Sequence, residues 1–425
     1  MSANEADRSV QYQTESLVHE LLALPEVLEA KEEIREHFFR PRILNEVARD
    51  TLDRAVDEAA VAALLAVAGR DPGDPRLTWY ECPPHVSFGR PIGGGRYGFD
   101  NPDRAFRYFF INPSWRYEIR GRRPLDGSDS FYLLLESCED KPPGWGYPLA
   151  FLYMEGIDFE EDGSFLITVD GTPTEGRRNH LYLPPNSAHV LIRETMVKWD
   201  VEMPTRLSVA RISGPDVAPV SFDEMRERAA AVVRAQAENA FLWYDFALAN
   251  VKPNTLATPM IRPAPEGETP WGMTTTGRFS ITDDEAFVLT FDAESARYLG
   301  IQIADPWMLS IAYAEHTSSL NHDETWHNPD GTVTYIVAAR DPGLGNWLDT
   351  NGTNDGVMLI RWELLQHTPD PTKTIRGTDL VKLRDVASVV PFPIPSVSPE
   401  ERQRQVDLRR RGIERRQAIL LSAGR

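Results

Sequence analysis

The stretch RYFFINPSWRYEIRG, residues 107–121, indicates the fold class of this chain. Two short runs of aromatic and β-branched residues, typical of β-strands, flank the turn-forming residues Asn-Pro-Ser. Similar runs recur along the chain, and turn residues separate them at spacings of roughly 10–15 residues, which favours antiparallel sandwiches. The sequence therefore predicts an α+β fold, mainly β, with two antiparallel β-sandwich or jelly-roll-like domains.

Helical patterns precede, separate and follow the two blocks of strands. Ser221 with Glu224, and Ser398 with Glu401, have the spacing of capping boxes that begin helices. The last helix is rich in arginine, which we interpret as a solvated surface or a subunit contact. We expect an N-terminal helical region at 1–76, a first β-sandwich domain at 77–220, a helix and proline-rich linker at 221–274, a second β-sandwich domain at 275–368, and a C-terminal extension with a helix at 369–425.

The composition of the 425-residue chain is that of a globular protein, with 41% hydrophobic and 26% charged residues. The formal net charge of −19 argues against a nucleic-acid partner, because such proteins need a basic surface. The polar N-terminus leads us to expect no signal peptide, and the sequence contains no apolar run long enough to span a membrane. Neither Cys82 nor Cys138 belongs to a C-x-x-C pair. We therefore expect a cytoplasmic protein with no membrane partner.

The segment GGGRYG, residues 93–98, matches the dinucleotide-binding pattern G-x-G-x-x-G. Its context argues against that function, because the pattern requires a buried strand before it and a helix after it. Prolines precede the segment, and the turn signal Asn101-Pro102 follows it. We interpret the glycines as a flexible loop that leads into a strand.

The densest group of polar and aromatic residues lies at 312–352, on predicted loops at one end of the second sandwich. We expect His316 or Glu324 to move protons, while aromatic rings contact an apolar substrate. His322 and His327 lack the zinc-protease spacing, but a single divalent metal is an alternative for this site. The predicted catalytic residues are His316, Glu324, His327 and Asp341, and the predicted ligand-binding residues are Tyr313, Asn321, Asn346, Trp347 and Asp349.

The first sandwich contains a second group of candidate ligand-binding residues. Because side chains alternate along a strand, His189, Leu191 and Arg193 can point to one face. An arginine beside a histidine can bind an anionic or carbonyl-bearing substrate, although it can equally pair with one of the many acids. Arg107, beside the turn DNPD at 100–103, completes this group.

Several phrases of the sequence resemble the domain of unknown function 1214 family, especially its long actinobacterial-type members. They are SSLN at 318–321, NPDGTVTYIVAARDPGLGNWLDT at 328–350 and GVMLIRW at 356–362, with a looser match around the DNPD turn. The resemblance implies β-sandwich domains in a soluble homo-oligomer, and it implies little chemistry. Family members often carry glutamine where Glu324 stands, so a carboxylate that can act as a base or a metal ligand replaces an amide here.

These observations favour an enzyme of the hydrolase, lyase or isomerase type that acts on a small lipophilic organic molecule. The alternative is a non-catalytic protein that binds a small molecule or a saccharide, and a third hypothesis is structural assembly through the terminal helices. We expect no cofactor, with a divalent metal as the alternative, and a homo-oligomer that binds a small organic ligand.

Overall fold

The computed structural model describes residues 9–43, 45–87, 89–137, 143, 146–245, 251–262 and 269–422. It shows an α+β fold in which β-sheet predominates, as the sequence predicted. Each of two strand-rich blocks forms a pair of facing sheets, and helices join the blocks. Cys82 is a buried free thiol, whereas Cys138 lies outside the described residues.

The helix α4 packs between the two sandwiches. The helices before the second sandwich are α1 (Val10–Leu22), α2 (Pro25–Glu33), α3 (Glu46–Asp50), α4 (Leu52–Ala68) and α5 (Phe222–Tyr244), with a π-helical segment at Ile34–Phe39 and a short 3-10 turn at Arg40–Arg42. In α4, Val56 and Leu64 share a hydrophobic cluster with Leu359 of the second sandwich. Ala62 and Ala66 contact an aromatic face of the first sandwich. The many alanines of α4 favour helix and keep its surface small enough to pack on both sides.

The first sandwich buries Phe109, Ile119 and Val190 between its two sheets. Its strands are β1 (Thr78–Tyr80), β2 (His85–Ser87), β3 (Arg90–Ile92), β4 (Arg104–Phe110), β5 (Tyr117–Arg122), β6 (Ser130–Ser137), β7 (Pro148–Tyr153), β8 (Ser164–Asp170), β9 (His180–Tyr182), β10 (Ser187–Thr195) and β11 (Arg206–Arg211). One sheet has the order β1-β4-β10-β6-β7 and the other β11-β5-β8-β9, while β2 and β3 form a hairpin. The pairing of β8 with β9 is parallel, and the other pairings described in this sandwich are antiparallel.

The second sandwich buries Phe287, Ile301 and Trp362 in the same way. Its elements are β12 (Thr255–Leu256), β13 (Met260–Ile261), β14 (Gly272–Ser280), β15 (Glu285–Asp292), β16 (Ala296–Ala304), β17 (Ser319–Asn321), β18 (Thr332–Ala338), β19 (Trp347–Asp349), β20 (Asp355–Leu365), α6 (Pro371–Thr374), β21 (Ile375–Lys382) and α7 (Val386–Val389), and the helix α8 (Pro399–Leu421) follows. The sheets have the orders β12-β14-β20-β16-β17, with β13 beside β14, and β19-β18-β15-β21.

The outer face of the first sandwich's five-stranded sheet lies against the outer face of the second sandwich's β16 and β20. Gln302 on β16 donates to the backbone oxygen of Asp100 at 2.6 Å, and the hydroxyl of Tyr298 donates to Asp103 at 2.8 Å. These bonds attach the turn before β4 to the second sandwich. Since both sheets already bury their inner faces, this contact uses the alternate side chains of the same strands.

Two arginines of α8 are buried, although the sequence predicted a solvated helix or a subunit contact. Arg409 and Arg416 are 1% and 4% exposed. Their guanidinium groups lie 4.0 and 4.5 Å from the ring centroid of Trp199, which is cation–π distance. Gly412, between them on the helix, packs against the backbone of Trp199. Contacts with the Trp199 ring and with backbone carbonyl groups replace water around these two guanidinium groups.

The same two arginines join α8 to both sandwiches. Arg409 donates to the hydroxyl of Ser319 in the second sandwich at 2.6 Å. Arg416 donates to the backbone oxygens of Pro102 and Met196 in the first sandwich, both at 3.1 Å. The C-terminal helix therefore contributes to the relative position of the two sandwiches.

We expect Gly412→Ala to lower the melting temperature, measured by circular dichroism on the full chain. A Cβ atom at this position would lie 2.4 Å from the backbone oxygen of Trp199. The clash should cost about 1–3 kcal/mol of unfolding free energy, and it opposes the gain of about 1 kcal/mol in helix propensity. The control is Gly93→Ala, where a Cβ has no neighbour within 4 Å. An unchanged or higher melting temperature for Gly412→Ala would contradict the proposed close packing.

Candidate functional site

Two of the predicted site residues, Asn321 and Glu324, lie at the junction of the sandwiches and α8. The Asn321 amide donates to the Asp103 carboxylate at 2.9 Å and to the backbone oxygen of Val197 at 3.0 Å. Glu324 forms an ion pair with Arg409. Burial raises the pKa of Glu324, and the positive charge of Arg409 opposes that rise. Both side chains thus bind neighbouring parts of the chain.

Asn346 and Trp347 organise the loops at the same end of the second sandwich. Asn346, with a φ of 52°, donates to the backbone oxygens of Trp326 and Thr334 at 2.7 and 2.9 Å. The indole of Trp347 donates to the backbone oxygen of Ala338 at 2.9 Å. The segment after β17 and the segment before β19 therefore meet. Their side chains pack against each other at that meeting point.

Three further predicted residues are engaged in ion pairs or hydrogen bonds at the surface. Asp341 pairs with Arg402 at 3.0 Å. Nδ1 of His316 lies 2.7 Å from the Asp349 carboxylate, and this hydrogen bond raises the pKa of His316. His327 is exposed at the edge of the loop. The structure brings His316 and Asp349 together but does not bring them to Glu324, which pairs with the helix α8 instead.

Tyr313 and Arg107 are both buried, at separate places in the fold. The Tyr313 ring meets the Trp199 ring edge-on with 6.2 Å between centroids, and burial raises the pKa of Tyr313. Arg107 pairs with Glu194 and donates to the backbone oxygen of Thr205 at 2.8 Å. Arg107 therefore lies away from the other two residues of its predicted group.

The glycine segment at 93–98 is a loop, and it packs on α4. A Cβ at Gly95 would lie 3.2 Å from the backbone nitrogen of Ala62. The next residue, Arg96, forms a buried ion pair with Glu58 of α4. The glycines thus allow the loop to approach a helix closely.

The densest cluster of buried polar and aromatic groups lies where the two outer sheet faces meet. We call this region the interlobe cleft. The rings of Tyr132 and Trp271 meet there at 5.7 Å, one from each block. Side chains of Tyr80, Glu81, Arg104, Phe106, Tyr132, His189, Arg193, Arg262, Trp271, Arg361 and Glu363 define it.

His189 and Arg193 face this cleft together, on the side of β10 opposite to the sandwich core. The guanidinium of Arg193 lies 5.6 and 5.9 Å from the ring centroids of Phe106 and Tyr132, and it donates to the Tyr132 hydroxyl at 3.1 Å. Nε2 of His189 lies 2.7 Å from the Glu136 carboxylate. The alternation of side chains along β10 produces this arrangement.

Several polar atoms of the cleft are buried without a hydrogen-bond partner among the described residues. They are Nε of Arg193, the hydroxyl of Tyr80, Nε1 of Trp271 and Nδ1 of His189. Buried polar groups in proteins are nearly always paired, so a cluster of unpaired ones calls for water or a ligand as the missing partner. Hydrogen-bond donors among aromatic rings are also the ordinary lining of a small-molecule site.

Glu81 stands out among the carboxylates of the cleft. It is half-buried, its backbone has a φ of 51°, and its side chain has no hydrogen-bond partner among the described residues. Burial raises the pKa of Glu81 to about 8, while the charge of Arg193 opposes the rise. The carboxyl group is therefore mostly protonated at neutral pH and can donate or accept a proton near that pH. A strained backbone and a raised pKa are both enriched at functional sites.

A hollow of about 290 Å³ lies at the edge of the first sandwich, beside the end of α8. Its lining includes Arg120 and Arg122. These side chains pair with Glu118 and Asp162, respectively, so their charges are compensated. This hollow contains no carboxylate comparable to that of Glu81.

Metal binding and membrane insertion find no support within the described part of the chain. No three His, Cys, Asp or Glu side chains among the described residues are grouped as metal ligands. No helix within the described ranges has both the length and the apolar character needed to cross a bilayer.

Comparisons with known proteins identify a solved structure with a similar fold. No model of a protein family matches the chain, and neither does any curated protein. The crystal structure of an uncharacterised protein from Burkholderia cenocepacia matches with a TM-score of 0.70 and 24% identity, over 87% of this chain and 100% of that one. A protein from Vibrio parahaemolyticus matches at a TM-score of 0.38 and 10% identity, over 67% of this chain and 90% of that one. The first match supports the fold and carries no statement about function.

Sequence reasoning missed Glu81, Arg262, Trp271 and Arg361 as residues of the cleft. Glu81 stands in WYECPPH, at the end of a short strand, with no neighbour that marks a catalytic motif. The strand alternation that selected Arg193 could have selected Arg361 on β20 in the same way. Nothing in the sequence indicates that these two strands face each other.

We expect Glu81→Gln to stabilise the protein at alkaline pH, measured as the melting temperature across a pH series. The folded-state pKa of Glu81 is raised above its ordinary value of 4.5. The protonated carboxyl group therefore contributes its full share of the stability below pH 4.5, and this contribution is lost as the pH rises through about 8. The variant should melt like the wild type at about pH 5 and a few degrees higher at about pH 9. Glu175→Gln is the control, because Glu175 also has a positive φ but is exposed. Parallel pH profiles for the wild type and Glu81→Gln would contradict the raised pKa.

Proposed function

We propose that this chain is an enzyme that catalyses proton transfer on a small lipophilic molecule held in the interlobe cleft, without a nucleotide cofactor. Isomerase or lyase chemistry fits best, because both need a group that donates and accepts a proton near neutral pH. The observation that carries the proposal is the half-buried carboxyl group of Glu81, which has no hydrogen-bond partner among the described residues and whose pKa burial raises to about 8. Arg193 is placed to stabilise negative charge that develops on the substrate.

The lining of the cleft supports a lipophilic substrate. The rings of Tyr80, Phe106, Tyr132 and Trp271 supply apolar contact area, and the free donor atoms of Arg193 and Trp271 can orient one polar group. The groove between stacked lobes also limits water around the reacting group, which strengthens the electrostatic interactions inside it.

The resemblance to the domain of unknown function 1214 family, the homo-oligomeric state, the cytoplasmic location and the absence of a cofactor stay predictions. We keep them as part of the proposal because nothing in the cleft conflicts with them. Binding without catalysis is the competing function, and the experiment below separates the two.

The test is hydrogen–deuterium exchange into substrate carbon positions. The full chain is screened by thermal shift against a panel of small cyclic and aromatic ketones, alcohols and acids. Each ligand found is then incubated with the protein in D2O and analysed by proton NMR. We expect catalysed exchange with at least one ligand, and Glu81→Gln should reduce its rate by about a hundredfold or more while the dissociation constant stays within about threefold.

Glu175→Gln is the matched control and should exchange like the wild type. Ligands that bind to the wild type without any exchange would favour a binding protein. An unchanged exchange rate in Glu81→Gln would overturn the assigned role of this carboxyl group.

A further inference from the structure

The interlobe cleft contains arginines that have no carboxylate partner among the described residues. Arg104 forms an ion pair with Glu363 across the cleft. Arg361 donates to neutral acceptors, the side-chain oxygen of Gln302 and the backbone oxygen of Phe99. Among the described residues, Arg361 has no carboxylate partner.

Two more guanidinium groups share the same space. Arg193 donates to the Tyr132 hydroxyl and stacks on aromatic rings. Arg262, which is exposed, stacks on the Trp271 ring at 5.0 Å. Neither has an ion-pair partner among the described residues, and Nε of Arg193 is buried with no hydrogen bond. Of the four arginines, one has a carboxylate partner and three do not.

The other acids near the cleft form no ion pair with Arg193, Arg262 or Arg361 among the described residues. The Asp100 carboxylate accepts from the backbone nitrogen of Ser310 at 2.9 Å. Asp103 accepts from Tyr298, Trp199 and Asn321. Glu136 contacts His189, as described above. The protonated Glu81 adds no negative charge at neutral pH.

The surroundings of Arg361 lower its pKa. Burial, with the nearby charges of Arg104 and Arg262, lowers the pKa of Arg361 to about 10. Burying like charges close together is unfavourable unless a counter-charge accompanies them. The chain as a whole carries a net charge of −19, so the positive cleft is a local feature and not a general property of the surface.

We propose that the substrate of the cleft is a small aromatic carboxylate, whose anionic group binds Nε of Arg193 and the guanidinium of Arg262 while its ring packs on Tyr132 and Trp271. This inference rests on the proposed function, because it names the substrate class of the same site. A planar carboxylate matches the fork of donors on an arginine, and aromatic surfaces favour a planar hydrocarbon part.

The test is isothermal titration calorimetry of the full chain with three probes: 2-naphthoate, its neutral analogue 2-naphthamide, and octanoate as a non-aromatic acid. We expect 2-naphthoate to bind at least about tenfold more tightly than each of the other two, since it alone combines a charge-assisted pair with an aromatic ring that can stack. Equal affinities for naphthoate and naphthamide would overturn the anion inference, and tighter binding of octanoate would overturn its aromatic part. Failure of all three to bind would also refute it.

Substitution of the two proposed anion-binding arginines tests where the anion binds. Arg193→Gln and Arg262→Gln should each remove most of the preference for 2-naphthoate over 2-naphthamide. Arg262 is exposed, so its variant tests the inference even if Arg193→Gln does not fold. The control, Arg120→Gln, changes an exposed arginine of β5 in the other sheet and should leave the preference intact. An undiminished preference in both cleft variants would place the anion elsewhere.

Naphthoate affinity measured across a pH series separates this inference from the proposed function. Glu81 is faced by Arg193, Arg361, Arg104, Asp100, Tyr80 and Tyr97. As Glu81 ionises, its charge should repel the carboxylate, so naphthoate affinity should fall by about tenfold between about pH 7 and pH 9 in the wild type and stay nearly constant in Glu81→Gln. Selective naphthoate binding without deuterium exchange would leave the anion site standing and refute catalysis. Deuterium exchange on neutral ligands alone would support catalysis and refute the anion site.

Discussion

The contact of Arg409 and Arg416 with the ring of Trp199 is the constraint on which the arrangement of the molecule depends. Trp199 donates in turn to the Asp103 carboxylate at 2.8 Å, and Asn321 of the second sandwich donates to the same group. A buried carboxylate that accepts several hydrogen bonds is stable only when all of its donors are present. The C-terminal helix, the turn before β4 and the strand β17 are therefore held by one shared set of contacts.

This constraint creates the interlobe cleft as a consequence. Each sandwich buries one face of each sheet in its own core, so the outer faces must be covered by something else. The small side chains of α4 fill part of the space between them. In the remainder, Arg361 and Glu363 on β20 meet Arg193 and Arg104 from the first sandwich. The polar character of this part is costly for folding unless a ligand or water completes its hydrogen bonds, which is why we assign function to it.

A loop rich in polar residues can be misleading as a guide to chemistry. Asparagine side chains mimic the donors and acceptors of the backbone, and Asn346 uses both to hold the neighbouring loop. The Glu324 carboxylate likewise serves as the partner of Arg409. A side chain that binds a ligand and one that binds a loop have the same chemistry, and the partner that folding brings close decides between these roles.

The sequence by itself determined what depends on near neighbours in the chain. Alternating apolar runs and their turns predicted the two sandwiches, the Ser398 and Glu401 spacing predicted the start of α8, and alternation along β10 predicted that His189 and Arg193 share a face. Only the tertiary structure decided which faces meet, because that depends on contacts between residues such as Asp103 and Asn321, over 200 positions apart. The raised pKa of Glu81 and the lowered pKa of Arg361 arise from that meeting. Both are effects of burial and of distance in space, which local sequence patterns do not encode.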